Sequence, residues 1–336
     1  MIKEAIVKLV KGEDLSKNEI ELVMEEVMTG QALPTQIAAF LTAMRIKGET
    51  IDEITGAAEV MRRHATKIKT RHPVVLDTCG TGGDECNTFN VSTVSAFVVA
   101  GAGVVVAKHG NRSVSSSCGS ADLLKALGVN IEAEEHIVSK CIDEVGIGFL
   151  FAPALHKAMK YAIGPRREIG IRTIFNILGP MTNPAGATHQ LMGVYEEELT
   201  RPIAEALGRL GSKHALVVHG RDGLDEVTTT DKTQISELRN GKIKTFEISP
   251  RDFGIKKAKP EELRGGDSAE NAKIAMDILG GERGPTYDIV ILNAGCAIYA
   301  ADKAADIKEG IKSAEESIES GAAVGKLQEL KEATNA

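Results

Sequence analysis

The sequence predicts an α/β fold in two parts: a small, discontinuous all-helical domain and a larger α/β domain with a mainly parallel central sheet. Three observations carry this expectation. Helical periodicity with no strand signal fills residues 2 to 67, and short β-branched runs alternate with helix-length patterns from Val74 onward. A proline- and arginine-rich segment, Tyr161 to Ala187, interrupts that alternation.

In the N-terminal part, apolar residues recur at spacings of three and four (Ile6, Leu9, Val10; Ile20, Val23, Met24, Val27), the period of one buried helix face. Ser16 with Glu19 and Thr50 with Glu53 read as capping boxes that start two helices, and Pro34 suits the first turn of a third. About four short helices are expected.

Strands are expected at Val74 to Leu76, Val104 to Ala107, Ile147 to Phe151, Gln190 to Val194, Ala215 to Val218 and Asp288 to Leu292. Their helix-length connections imply βαβ units and a sheet covered on both faces. Gln234 to Leu238 and Lys242 to Ile248 flank Asn240 and Gly241, a dipeptide that favours a tight hairpin, so an antiparallel excursion is expected there. The prolines and glycines of Tyr161 to Ala187 are expected to break regular structure repeatedly as the chain returns to the N-terminal helices. The division is then 1–67 with about 167–187 for the helical domain, and 68–166 with 188–336 for the α/β domain.

At 336 residues a two-domain enzyme with a sizeable core is the default. A net charge of −7, 4% aromatics and no Trp lack the electrostatic footprint and stacking platforms of a nucleic-acid binder. No apolar run approaches the roughly 18 residues that span a bilayer. The five cysteines form no CxxC pair and are odd in number, which speaks against a disulfide framework or a zinc site and for a reducing compartment. A soluble cytoplasmic protein with no nucleic-acid or membrane partner is expected.

Two glycine- and serine-rich loops each follow an apolar run: DTCGTGGD (Asp77 to Asp84) and KHGNRSVSSSCGS (Lys108 to Ser120). The first leads through Asn90, Val91, Ser92 and Thr93 into a helix, so backbone N–H groups and the positive end of a helix dipole are expected to face an anion. Gly80, Gly82 and Gly83 let the backbone approach a ligand, although the same glycines also suit a bare strand-to-helix turn. GTGGD lacks the third glycine of GxGxxG and no GKS or GKT follows, which disfavours the dinucleotide and P-loop readings. Asp84 suits a ribose hydroxyl or a backbone cap. Asn90, Ser92 and Thr93 suit N-capping, and a serine here also suits Mg²⁺. Lys108 opens the second loop, and its several donors suit a diphosphate; His109 lacks an orienting carboxylate and makes a poor general base.

Asp225 and Glu226 stand side by side after a strand. Carboxylates about 4 Å apart repel by roughly 4 kcal/mol near a protein surface, a penalty that a divalent cation removes. With no His or Cys cluster nearby, the ion of choice is Mg²⁺ shared with substrate phosphates, against the plainer reading of an exposed acidic turn. Arg166, Arg167 and Arg172 suit capture of a carboxylate, solvation, or pairing with Glu168.

Together DTCGTGGD, NVST, KHGNRSVSSSCGSADLL, RTIFNILGPMTNPA and the DE pair resemble the anthranilate phosphoribosyltransferase family of tryptophan biosynthesis, in order and over essentially the whole chain. The resemblance implies the nucleoside phosphorylase/phosphoribosyltransferase class fold and a homodimer formed through the helical domain. It also implies transfer of the phosphoribosyl group of 5-phosphoribosyl 1-diphosphate to anthranilate. It assigns the donor to Gly80, Gly83, Asp84, Thr88, Asn90, Val91, Ser92 and Thr93, and to Lys108, His109, Gly110, Asn111, Arg112, Ser113, Val114, Ser115, Ser116 and Ser120. Anthranilate falls to Gly80, Asn111 and Arg166. One Mg²⁺ falls to Ser92 and Glu226, and a second to Asp225 and Glu226, with Lys108 helping to stabilise the leaving group. A nucleoside phosphorylase of the same architecture is the alternative enzyme; it would carry a different glycine and serine motif. A non-catalytic nucleic-acid-binding relative is a third reading, which the charge opposes.

Overall fold

The computed structural model describes residues 1–84, 86–112 and 118–336. Four helices come first: α1 (Ile2–Val10), α2 (Lys17–Met28), α3 (Pro34–Lys47) and α4 (Ile51–His64). Both expected capping boxes are present, at Ser16 with Glu19 and at Thr50 with Glu53, and Pro34 opens α3. The first α/β stretch runs β1 (Leu76–Gly80), α5 (Val91–Gly101), β2 (Val106–Gly110), α6 (Ser120–Ala126), α7 (Glu135–Lys140), β3 (Ile147–Phe151) and α8 (Ala152–Leu155). Then come α9 (Lys160–Ile169), α10 (Ile174–Met181), β4 (His189–Gly193), α11 (Thr200–Arg209), β5 (His214–Gly220), β6 (Thr233–Arg239) and β7 (Lys242–Ile248). The chain ends with α12 (Ser268–Leu279), α13 (Pro285–Ala300), α14 (Ile307–Glu319) and α15 (Ala322–Asn335).

The seven strands form one sheet in the order β3-β2-β1-β4-β5-β6-β7, parallel from β3 to β5 and antiparallel for the last two. The β6–β7 turn has positive φ at both Asn240 (52°) and Gly241 (73°), the signature that the Asn-Gly pair predicted. At its other end β6 starts opposite the end of β5: Gly220 pairs with Thr233, and Arg221 N donates to Lys232 O at 2.8 Å. The loop Arg221 to Lys232 therefore leaves and re-enters the sheet at one point.

Three expectations are corrected. Asp288 to Leu292 is not a strand; it lies inside α13, where Pro285 occupies the first turn and an apolar run continues to Ala300. A wholly buried helix has no polar face, so its apolar run imitates a buried strand and only its length tells the two apart. The segment Tyr161 to Ala187 is not irregular either, because it contains α9 and α10 with Pro165 and Pro180 inside them. Burial of Ile174, Phe175, Ile177 and Leu178 holds α10 despite the missing N–H. Finally, β1 and β2 reach further than expected. Asp77 to Gly80 and Lys108 to Gly110 are strand residues, and their polar side chains are buried with partners rather than looped out.

Two large cores result. One unites α1 to α4 (Ile20, Met24, Phe40, Met44, Ile54) with α10 (Ile174, Leu178) and one face of β4 and β5 (Met192, Val217). The other packs α5, α13, α14 and α15 on the opposite face.

Candidate functional site

On the sheet, β1 and β4 are neighbours whose chains depart in opposite directions, β1 toward β2 and β4 toward β5. Such a switch point opens a crevice beyond the strand ends, the preferred ligand site of open α/β sheets. Gly80 and Gly193 close the two strands and are register partners. The turn that carries Asp225 and Glu226 rests on both: a Cβ on Gly193 would lie 1.5 Å from Asp225 O, and one on Gly80 would lie 2.5 Å from Asp225 Oδ2.

Each carboxylate docks onto a backbone donor of the first motif. Gly82 N donates to Asp225 Oδ2 at 2.8 Å, and Ser92 N, in the first turn of α5, donates to Glu226 Oε1 at 3.1 Å. The N–H groups predicted to face an anion thus hold the protein's own carboxyl oxygens. Burial, then the proximity of Asp84 and Glu226, holds the Asp225 carboxyl well above the usual carboxylate range. Burial also raises Glu226, to about 7; Lys108 pulls against that shift and Asp84 adds to it. These crowded carboxyls and the Ser92 hydroxyl are hard oxygen donors, the set that suits Mg²⁺. Among the described residues no three His, Cys, Asp or Glu side chains form a cage. An ion here would draw its remaining ligands from phosphate and water, which is how Mg²⁺ is commonly held.

Lys108 is not a loop cation. It is 3% exposed on β2, and its Nζ donates to Thr78 O and, at 3.2 Å, to Ser92 Oγ; burial lowers its pKa. Strand alternation sends His109 to the opposite face. There its Nδ1 lies 3.1 Å from Gly179 O and its ring 5.1 Å from that of His156. Burial pushes His109 down to about 3 and His156 to about 4, so both rings are neutral at pH 7. The His109 backbone N–H donates to Asp77 Oδ1, whose partner oxygen accepts from Asn183 Nδ2 at 2.8 Å. The imidazole of His109 is therefore turned away from Ser92 and the carboxylates.

Asn90 precedes α5 but does not cap it through its side chain; Nδ2 donates instead to Cys118 O at 3.0 Å. Val91 and Thr93 are buried. Thr88 bridges Arg264 beside the loop. Gly83 (φ 79°) and Asp84 are half-buried at its tip, and Arg172 Nη2 donates to Gly83 O while its guanidinium stacks 4.7 Å from the Tyr195 ring centre. Gly110 leads into exposed Asn111 and Arg112, and Ser120 Oγ lies 3.2 Å from both N and O of Asn111, closing the base of the second loop. Ser113, Val114, Ser115 and Ser116 lie outside the described residues.

Arg166 is half-buried, with its guanidinium 5.2 Å from the Phe175 ring centre, whereas Arg167 is exposed. Sequence reasoning missed Gly193, His156 and Asn183. Gly193 was hidden because its requirement comes from a turn remote in the chain. Asn183, within TNPAG, carried a polar signal inside an otherwise apolar surround.

Comparison with known proteins identifies both parts of the fold. Residues 3–65 match the helical bundle domain, and residues 72–324 the a/b domain, of a glycosyl transferase family. The anthranilate phosphoribosyltransferase of Moorella thermoacetica is 57% identical over 330 residues, spanning 98% of this chain and 97% of that protein. The chain belongs to the anthranilate phosphoribosyltransferase family. The crystal structure of the Thermus thermophilus family member superimposes with a TM-score of 0.94 at 43% identity, covering 99% of both chains. That of the Saccharomyces cerevisiae enzyme, in complex with PRPP and Mg, gives a TM-score of 0.90 at 31% identity over 99% of this chain and 98% of the yeast chain. The expected fold and glycosyltransferase class therefore hold, and the phosphorylase and nucleic-acid-binding alternatives are not favoured.

Proposed function

We propose that this chain joins anthranilate to 5-phosphoribosyl 1-diphosphate, forming N-(5-phosphoribosyl)anthranilate and diphosphate, at the crevice beyond β1 and β4. The observation that carries this is the Asp225–Glu226 turn seated on Gly80 and Gly193, with its carboxylates on the N–H groups of Gly82 and Ser92. In this reading Ser92, Asp225 and Glu226 hold Mg²⁺, two ions per monomer. When bound, Mg²⁺ supplies the positive charge that screens the leaving diphosphate.

The protein's own groups do the rest. Gly80, Gly83, Asp84, Thr88 and Asn90 to Thr93 hold the donor together with Lys108, Gly110, Asn111, Arg112 and Ser120, while Ser113 to Ser116, which the family resemblance also assigns to it, lie outside the described residues. His109, with its N–H on Asp77 Oδ1 and its ring turned away, serves by holding β2 in place beside the donor. Lys108, fixed beside Ser92, adds positive potential where negative charge develops on the leaving oxygens. Arg166, half-buried over Phe175, suits the acceptor carboxylate, with Asn111 and Gly80 beside it. Breaking the C1–O bond gives the ribose oxocarbenium-like character, and alignment of the aryl amine on the opposite face lets its lone pair form the C–N bond. An aniline nitrogen is already neutral at pH 7, and the acidic proton it carries once the C–N bond forms passes to solvent or the departing diphosphate, so no strong base is required.

The helical domain is best assigned to 1–67 with a returning segment that begins at Lys160, the start of α9, rather than at about 167. Exposed Val7, Val10, Leu33 and Ile46 on or beside α1 and α3 support a homodimer formed through this domain. We place the enzyme in the cytoplasm; its five cysteines are free, and no described helix is long and apolar enough to cross a membrane.

The test follows loss of anthranilate fluorescence on addition of 5-phosphoribosyl 1-diphosphate across a Mg²⁺ series. The wild type is expected to show Mg²⁺-dependent loss. Asp225→Asn with Glu226→Gln is expected to cut turnover through lost metal binding; an unchanged Mg²⁺ dependence in the double variant would remove the assignment.

A further inference from the structure

We propose that Asn293, on α13 and outside the ligand-binding loops, is a positioning residue that fixes the Asp225–Glu226 pair by clasping the peptide groups of Val227. The proposal rests on the metal-binding reading given above. Asn293 is fully buried in a helix that is apolar on nearly every side. Its Oδ1 accepts from Val227 N at 2.9 Å, and its Nδ2 donates to Val227 O at 2.8 Å and to Ile289 O, one turn back in its own helix, at 2.8 Å.

One side-chain amide thus does for Val227 what a neighbouring strand would do, pairing with both its N–H and its C=O. Val227 directly follows Glu226 and is itself fully buried, so these backbone groups have no access to water. On its other side the turn is wedged against Gly193 and tied to Gly82. Thr228 N, one residue on, donates to Thr233 Oγ1 at the start of β6, whereas Asn293 connects the residue next to Glu226 to a buried core helix. A buried amide in an apolar helix is costly unless all its polar groups are used. Here every hydrogen bond beyond the one to its own helix goes to this turn.

The experiment compares wild type, Asn293→Leu, Ser317→Ala and the Asp225→Asn/Glu226→Gln variant. Ser317→Ala is the control for lost buried hydrogen bonding, because Ser317 Oγ donates to Val98 O at 2.7 Å and not to the carboxylate turn. Mn²⁺ binding is measured by electron paramagnetic resonance in the presence of inorganic diphosphate, alongside the Mg²⁺ concentration for half-maximal rate, KM for anthranilate and the thermal midpoint. Asn293→Leu is expected to weaken Mn²⁺ binding and raise the Mg²⁺ requirement about tenfold or more, with KM for anthranilate within about twofold of wild type. Ser317→Ala is expected to lose thermal stability without changing either metal readout. If Asn293→Leu does not fold, Asn293→Ser, which keeps a polar group too short to reach both Val227 atoms, carries the same expectation. Wild-type Mn²⁺ affinity in the folded Asn293 variant, with binding lost in the double carboxylate variant, would overturn this proposal alone. Wild-type Mn²⁺ binding in the double variant would overturn the metal reading and this inference with it.

Discussion

Gly193→Ala puts the seating of the carboxylate turn to a steric test. The added Cβ would stand 1.5 Å from Asp225 O, 2.4 Å from its carbonyl carbon and 3.2 Å from its Cα. Real Cβ contacts essentially never fall below 3.0 Å, and the atoms struck are backbone, so no rotamer relieves the clash. The turn must retreat by about 1.5 Å from the end of β4 or the strand must bend away. Displacements of about 1 Å around reacting groups cost about 100-fold in rate, equivalent to about 2.7 kcal/mol of transition-state stabilisation. A loss of kcat/KM of at least that size is expected, with a raised Mg²⁺ requirement. Overpacking of this kind also costs about 1–3 kcal/mol of stability, so the variant should fold with a lowered thermal midpoint. The readouts are anthranilate fluorescence across a Mg²⁺ series and circular dichroism on heating. Gly325→Ala is the control: its Cβ meets nothing within 4 Å inside α15, and it should stabilise by up to about 1 kcal/mol without changing rates. A Gly193→Ala enzyme within about threefold of wild-type kcat/KM at an unchanged Mg²⁺ requirement would refute the reasoning.

Arg166→Ala should raise KM for anthranilate about ten- to hundredfold, since a charge-assisted hydrogen bond contributes about 1.5–3 kcal/mol. KM for the phosphoribosyl donor should move less than about twofold, and an Arg167→Ala enzyme with the larger anthranilate defect would reverse the assignment. His156, held down to about 4 from 6.5 by burial, has a folded pKa below its unfolded one. Its contribution to stability is therefore present above pH 6.5 and lost as pH falls through 4, about 3 kcal/mol in all. His156→Phe should flatten the denaturant midpoint over that window by this amount, and an unchanged acid slope would count against a neutral buried ring. Glu53 accepts from Leu15 N at 2.8 Å, Thr50 N at 2.7 Å and Lys47 Nζ at 2.9 Å while fully buried. Glu53→Ala should cost about 3–5 kcal/mol in denaturant unfolding; a loss below about 1 kcal/mol would show that the bundle relaxes around the gap.

The helical domain was the most legible part of the sequence because its signals are local. Ser16 with Glu19 and Thr50 with Glu53 lie within one turn of each other, and the apolar period belongs to one face. The strands were legible in position but not in extent. Asp77, Thr78, Lys108 and His109 look like loop residues until their partners, from Asn183 to Ser92 and Gly179, are brought close by the fold. Polar residues deep in a strand reveal themselves only through tertiary contacts. The same limit hid α13, whose apolar run has no polar face to betray its period. At the site, Gly80 and Gly83 were readable because their motif is continuous. The family resemblance pairs Ser92 with Glu226 as proposed metal ligands, but the backbone contact of Glu226 with Ser92 and the need for Gly193 arise from approach across the crevice.

The loop from Arg221 to Lys232 is, in effect, a small cyclic peptide closed at its neck by the pairing of Gly220 with Thr233. Residues within such a ring can change without shifting the register of the sheet, because the closure lies outside the ring. On the proposed reading of Asp225 and Glu226 as metal ligands, metal preference can therefore diverge inside the ring while β5 and β6 keep the same partners. That makes the loop a natural cassette for exchange between homologous enzymes, provided that the recipient keeps Asn293 and the glycine seats at Gly80 and Gly193.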